Sequence, residues 1–335
     1  MTHHIMYKAR QMTLWFAGVA RLLTVFLTVL CTPLGESSTD SSTRPQFSKA
    51  YIDVDWGQIH LLQAAPDLIT QPPLVCFPPN PFSGNYYRQL MASLAVNRRV
   101  VALDYPGLGQ SDASTTWRTV GELADIMIDA IESAPLTDEH HRSIDVCGYH
   151  TGAMVAAEVA IRRPDLVRRV VLIGVPYFAD KAENDAELLS VMQDRPLPTE
   201  LAALESSWRF TIEERHPDVV LERAYENFLE SAGAWKARAP VYRALHGYAA
   251  ADRATLISQP VLVLNPHGGL KTHTRAYAQL IQNATLVELP NLTYGVFDVA
   301  AVQIADIMLP YLNRRSALRA SGSTGGVTAA LITSC

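Results

Sequence analysis

The sequence predicts an α/β fold, a mostly parallel central sheet flanked by helices with a helical cap inserted late in the chain. Three observations carry this. Short β-branched runs bounded by Gly or Pro recur along the chain, helical patterns fill the gaps between them, and one long stretch without strand character interrupts the alternation.

The first regular elements are Tyr51–Val54 and Gln58–Gln63, which alternate apolar with polar residues around Trp56-Gly57 and predict an antiparallel hairpin. Leu74–Phe77, Val100–Leu103, Ile144–Cys147, Val170–Ile173 and Pro260–Leu264 are continuous apolar runs, as expected of strands covered on both faces. Between them Tyr86–Ala95, Thr119–Ser133, Gly152–Arg162 and His273–Ile281 carry apolar residues at helical spacing, so the sheet is expected to be largely parallel. Residues 177–251 read as the helical cap, with Pro196, Pro198, Pro217 and Pro240 at helix boundaries. The core is thus expected over residues 49–176 and 252–315. Residues 316–335, rich in Ser, Gly, Thr and Ala, are expected to be a disordered tail.

The N-terminus has a different character. Lys8 and Arg10 precede the apolar runs Leu14–Ala20 and Leu22–Cys31, broken by Arg21, which predicts a signal peptide or membrane anchor over residues 1–34. Any membrane association is expected through this segment, and the protein is expected to be exported or anchored. Residues 35–48 are polar and turn-rich, as in a flexible linker.

Composition narrows the function classes. With 335 residues, 48% of them hydrophobic, the chain can bury a large core, and a net charge of −5 without a basic cluster argues against nucleic acid. A small-molecule substrate is the expected partner. Cys31, Cys76, Cys147 and Cys335 show no metal-ligand spacing, so no metal site is expected. Cys76 and Cys147 end strands expected to be neighbours; two buried thiols or a disulfide both fit.

The chemistry concentrates at Ile144–Ile161, IDVCGYHTGAMVAAEVAI, where a buried strand meets an Ala-rich helix through Gly148-Tyr149-His150-Thr151-Gly152. The two glycines permit a tight turn that lifts His150 above the carboxyl end of the sheet. This segment resembles the nucleophile elbow of the α/β-hydrolase superfamily. Leu103-Asp104-Tyr105-Pro106-Gly107-Leu108-Gly109-Gln110-Ser111-Asp112 is similar to that superfamily's stretch after the fourth strand, and Arg163-Pro164-Asp165 through Ile173 to its approach to the sixth. The resemblance runs from about Tyr51 to Leu312.

The resemblance implies a catalytic triad, and all three positions are altered. His150 stands where serine, aspartate or cysteine is usual. Tyr294, in Glu288–Gly295, falls on the histidine position, and Gly269, in Asn265–Leu270, on the acid position. Asp180, after the sixth strand, is an alternative acid. Pro78-Pro79 replace the usual His-Gly pair after the third strand, which leaves the Asn80 and Thr151 amides as expected oxyanion donors. No cofactor is implied.

The expected activity is hydrolysis, esterase-like, of a small apolar carbonyl compound, with His150 as base or nucleophile. Proton abstraction or carbon–carbon cleavage on the same fold is an alternative. So is a binding protein that keeps the pocket without turnover, with the His150 ring merely filling the elbow. His267 and His273 flank the acid loop, from which they could approach the site, with solvation or capping as the plainer reading, and Asp104 is expected to bond backbone in its turn. Trp208, Phe210, Tyr225, Phe228 and Trp235 are expected to pack within the cap, with an apolar pocket over the elbow as the alternative.

Overall fold

The computed structural model describes residues 45–113, 119–137, 139, 141–194, 197–314 and 328–330. The expected signal or anchor segment lies outside the described residues. Among the described residues no helix is long and apolar enough to cross a membrane.

The sheet is built from β1 (Gln46–Val54), β2 (Gly57–Ala65), β3 (Leu74–Phe77), β4 (Val100–Leu103), β5 (Ile144–Tyr149), β6 (Val167–Ile173), β7 (Val261–Pro266), β8 (Ala284–Leu289) and a short β9 (Thr328–Ala330), in the order β1-β2-β4-β3-β5-β6-β7-β8-β9. β1 and β2 form the expected hairpin, closed by Asp55 and Trp56 with Val54 opposite Gly57. β2 joins β4 antiparallel, and every later pairing is parallel.

Three boundaries differ from expectation. Gln46–Ser48, read as linker, extend β1: Phe47 lies opposite Ala64, with the Arg88 guanidinium 4.6 Å from its ring centroid, and Ser48 Oγ accepts a bond from Gln63 Nε2 at 2.8 Å. β8 is a strand that the sequence pattern hides, because polar Thr285 and Glu288 interrupt its apolar residues. Within the tail read as disordered, Thr328–Ala330 pair in parallel with Thr285–Val287.

Period-two alternation sorts the core into two layers. Val75, Phe77, Val101, Leu103 and Val146 pack on one face of the sheet against helices Val120–Ser133 and Thr151–Arg162. Leu74, Cys76, Val100, Ala102 and Cys147 pack on the other against helices Arg88–Leu94 and Ala301–Leu312. Each fully buried Leu or Ile in these layers contributes about 1.5–3 kcal/mol.

Local chemistry fixes the helix ends. Thr119 closes a capping box: its hydroxyl accepts the Glu122 amide at 3.1 Å, and the Glu122 carboxylate accepts the Thr119 amide at 3.0 Å. Between β6 and β7 the described chain holds helices and turns only, the longest being Lys181–Leu188, Leu221–Gly233 and Arg238–His246. Pro240 sits in the first turn of Arg238–His246, where its missing N–H breaks no helical bond.

The strand order reverses direction between β3 and β5. In open α/β sheets such a reversal leaves a crevice beyond the carboxyl ends of the strands. Phe77 pairs with Gly148 at that point, so the loops carrying Asn80 and His150 leave the sheet side by side. Cys76 and Cys147 are register partners and free buried thiols. Burial pushes the Cys76 thiol up, and Cys147 beside it adds to the shift.

Candidate active site

The elbow is strained at one residue. His150 has φ 50° and ψ −117°, and it is the one non-glycine with positive φ among the described residues. Such backbone costs about 1–3 kcal/mol. The glycines that frame it are required by close approach: a Cβ on Gly148 would stand 2.0 Å from Gly152 O, and one on Gly152 would stand 1.9 Å from Phe77 O. Below the elbow, residues 151–160 are buried without exception. Glu158 of this helix accepts bonds from Arg162, Tyr248 and Arg253, which ties the elbow helix to the end of the cap.

The imidazole is held by packing. Its centroid lies 3.9 Å from that of Tyr149, tilted by 33°. The amide of His150 donates to Ile173 O at 3.0 Å, while no side chain or backbone group hydrogen-bonds either ring nitrogen among the described residues. Burial lowers the ring's pKa from 6.5 to about 4, so the imidazole is neutral near pH 7.

Two cavities meet at this ring. The smaller, of about 220 Å³, runs under Phe178, His273 and Leu270; the larger, of about 460 Å³, runs under Phe210, His216 and Val219. Tyr149, His150, Thr293 and Tyr294 line both. His150 therefore stands in the wall between two spaces.

Tyr294 is thus at the site, 56% exposed, with its ring edge-on to Phe210 at 6.0 Å. Asn80 lines the larger cavity, its side-chain Nδ2 donating to Arg238 O at 2.9 Å. Thr151 opens the elbow helix immediately behind His150, where first-turn amides have no helical partner.

Asp180 is elsewhere. Its carboxylate caps the helix Lys181–Leu188, accepting the Ala182 and Glu183 amides at 2.7 and 3.0 Å, and it lines neither cavity. A cap on an exposed helix end holds its acid with backbone donors, so Asp180 as the acid partner of His150 is set aside.

The other titratable groups have structural duties. Asp104 accepts the Gly84 and Gln110 amides and bonds His60 Nδ1 at 2.8 Å. His267 bonds Glu288 at 2.7 Å. Burial pushes Glu288 up, but its bonds to Arg275 and His267 outweigh this and hold it below its ordinary range. His273 does reach the smaller cavity, with Nδ1 3.1 Å from Tyr177 O. Trp208, Tyr225 and Phe228 pack on one another in the cap, while Phe210 turns toward the elbow.

Several site residues escape sequence reasoning. Asp298, on the wall of the larger cavity, forms a buried ion pair with Arg223 at 2.9 Å, and Asn227 leaves a buried Oδ1 without a partner on the same wall. Their sequence separation of 75 residues carries no local signal.

Comparison with known proteins places the elbow in context. A family model for the alpha/beta hydrolase fold matches residues 72–201. A Rhizobium rhizogenes protein named "Putative carbamate hydrolase RutD" is 24% identical over 253 residues, covering 71% of this chain and 91% of its own. Among solved structures, an E-2-(acetamidomethylene)succinate hydrolase superposes with TM-score 0.63 at 18% identity, covering 80% of this chain and 100% of its own. An esterase from Exiguobacterium antarcticum does so with TM-score 0.62 at 19% identity, covering 79% and 99%. Sheet order, elbow and family match agree on the fold: the chain has the α/β-hydrolase fold, and residues 72–201 match that family's model.

Proposed function

We propose that the protein is a hydrolase of a small, largely apolar carbonyl compound, an ester or related acyl derivative, with His150 as the working residue. The observation that carries this is a neutral, unpartnered imidazole held on a strained elbow between two cavities. Strain of this kind persists where the surrounding structure enforces it.

In this reading the carbonyl carbon lies over His150 and its oxygen receives the Asn80 and Thr151 amides. The imidazole either takes a proton from water as that water attacks, or attacks the carbonyl itself. In the second case an acyl-imidazole forms, the leaving group departs with a proton, and water then releases the acid and restores the ring. The ring is unprotonated across the neutral range, so its free nitrogen is open to either route. The hydrolase names carried by the relatives support this class of reaction.

A second reading, a ligand-binding protein without turnover, is favoured by one observation: no carboxylate orients the His150 ring among the described residues. A panel of short-chain esters, thioesters and carbamates, tested against the full chain and His150→Ala, separates the two. Turnover that His150→Ala abolishes with its folding intact supports the hydrolase; an inert wild type that still binds panel members supports the binder.

A further inference from the structure

Apart from the elbow, the cap holds its own cavity. It has a volume of about 540 Å³ and shares no lining residue with the two spaces at His150. Leu197, Leu204, Trp235 and Ala239 give it apolar walls, and Arg238 is the basic residue of its lining. Leu197 and Trp235 are 56% and 36% exposed, so the apolar wall continues to the surface.

Arg238 lacks an anionic partner among the described residues. Its Nε is buried without a hydrogen-bond partner, and no carboxylate lies within ion-pair distance among the described residues. Its neutral companion is Tyr242, whose hydroxyl interacts with the Arg238 side chain and whose ring centroid is 6.0 Å from the guanidinium carbon. By contrast, the buried Arg98 and Arg223 are paired with Asp145 and Asp298 at 3.0 and 2.9 Å. Glu200, the acidic residue of the cavity lining, is exposed. A partly desolvated guanidinium beside apolar walls is costly unless an anion completes it, and its planar fork matches a carboxylate.

We infer that this cavity binds a single-chain amphiphile with a carboxylate head, a medium-chain fatty acid in chemical terms. The carboxylate pairs with Arg238 and the alkyl chain lies along Leu197, Leu204 and Trp235. Arg238 also links this site to the elbow: its carbonyl accepts Asn80 Nδ2 at 2.9 Å, and Tyr242, on the same helix, donates its hydroxyl to Asn80 O at 3.3 Å. The binding site stands without the hydrolase reading, since none of its residues is placed in that chemistry through its side chain.

Calorimetric titration of the full chain with decanoate, kept below its micellar range, tests this. Expected are one bound decanoate per chain, at least tenfold weaker binding in Arg238→Gln, partial retention in Arg238→Lys, and weaker binding of decanol than of decanoate. Ala239→Phe, which fills the cavity, is expected to abolish binding, with circular dichroism to confirm that it folds. His150→Ala is expected to bind decanoate as the wild type does. Absence of binding to the wild type overturns the inference, as does equal affinity in Arg238→Gln. Loss of binding in His150→Ala overturns it too, by moving the fatty acid to the elbow. Because the readout is binding, failure of the ester panel leaves these outcomes unaffected.

Discussion

The imidazole of His150 lies against Gly174, where a Cβ would stand 2.9 Å from Cδ2 and 3.1 Å from Nε2. Gly174 itself has φ 58°, the left-handed region that disfavours a side chain. β6 is therefore followed by a residue that both turns the chain and leaves room for an imidazole. Gly174→Ala is expected to cost about 1–2 kcal/mol from backbone strain alone, and further to displace the ring. Urea unfolding gives the first quantity; the shifted imidazole resonance of His150 in an NMR spectrum gives the second. An unmoved resonance would show that the ring does not rest on Gly174.

The depressed pKa of His150 makes a signed prediction about stability. The folded value is about 4, against 6.5 for the free side chain. Between these pH values the unfolded chain binds the extra proton, so stability falls as pH falls from 6.5 toward 4 and is unaffected by this group above that window. The loss amounts to at most about 3 kcal/mol. His150→Gln removes it. Comparing urea midpoints of wild type and His150→Gln at pH 4.5 and pH 7 isolates the term, because the carboxylates titrate alike in both. Parallel pH dependence in the two proteins would refute the desolvated state of the ring.

The buried pair Arg223–Asp298 joins the cap helix Leu221–Gly233 to the segment following Tyr294. Arg223 further donates to Asn85 O at 3.2 Å, so one guanidinium binds three parts of the chain. Truncating one partner of such a pair strands the other charge, and Arg223→Ala is expected to cost about 3–5 kcal/mol. Replacing both by apolar residues, as in Arg223→Met with Asp298→Leu, is expected to recover most of that loss. Thermal unfolding of the three variants decides it, and a single variant as stable as wild type would mean that the pair is solvated.

How legible the molecule was depends on the range over which each feature is determined. The strands β3, β4 and β5, buried at every residue, and the helix after the elbow, buried over residues 151–160, are written locally, and the sequence marks them to within two residues. β8 escaped because it is covered unevenly, so Thr285 and Glu288 break its apolar pattern. At the site, the Gly148–Gly152 turn announced His150, since backbone contacts under 2.1 Å forbid any Cβ at either glycine. Asp180 was ambiguous because an acid just after a strand and just before a helix satisfies both a catalytic and a capping pattern, and its two backbone bonds fit the capping one. Pairings such as Arg223–Asp298, or the Asn80–Arg238 bond, depend on how the cap folds back over the sheet, and no local pattern encodes that.

The positions assigned to the altered triad can be tested by rebuilding it. Tyr294 lines both cavities beside His150, and a Cβ at Gly269 meets no atom within 4 Å, so neither a histidine nor an aspartate is sterically barred. Gly269 also lies on the smaller cavity, the one bounded by Gly174 and His150. His150→Ser alone is expected to be inert, because no histidine hydrogen-bonds position 150 among the described residues. The triple variant His150→Ser, Tyr294→His, Gly269→Asp is expected to hydrolyse p-nitrophenyl acetate at least tenfold faster than His150→Ser, with a burst of acyl-enzyme. General-base activation of a serine contributes about 10²–10⁴-fold in well-formed sites, so a gain of tenfold allows for imperfect geometry. A folded triple variant that stays at the rate of His150→Ser would show that residues 294 and 269 do not occupy the histidine and acid positions, and the register of both loops would have to be reassigned.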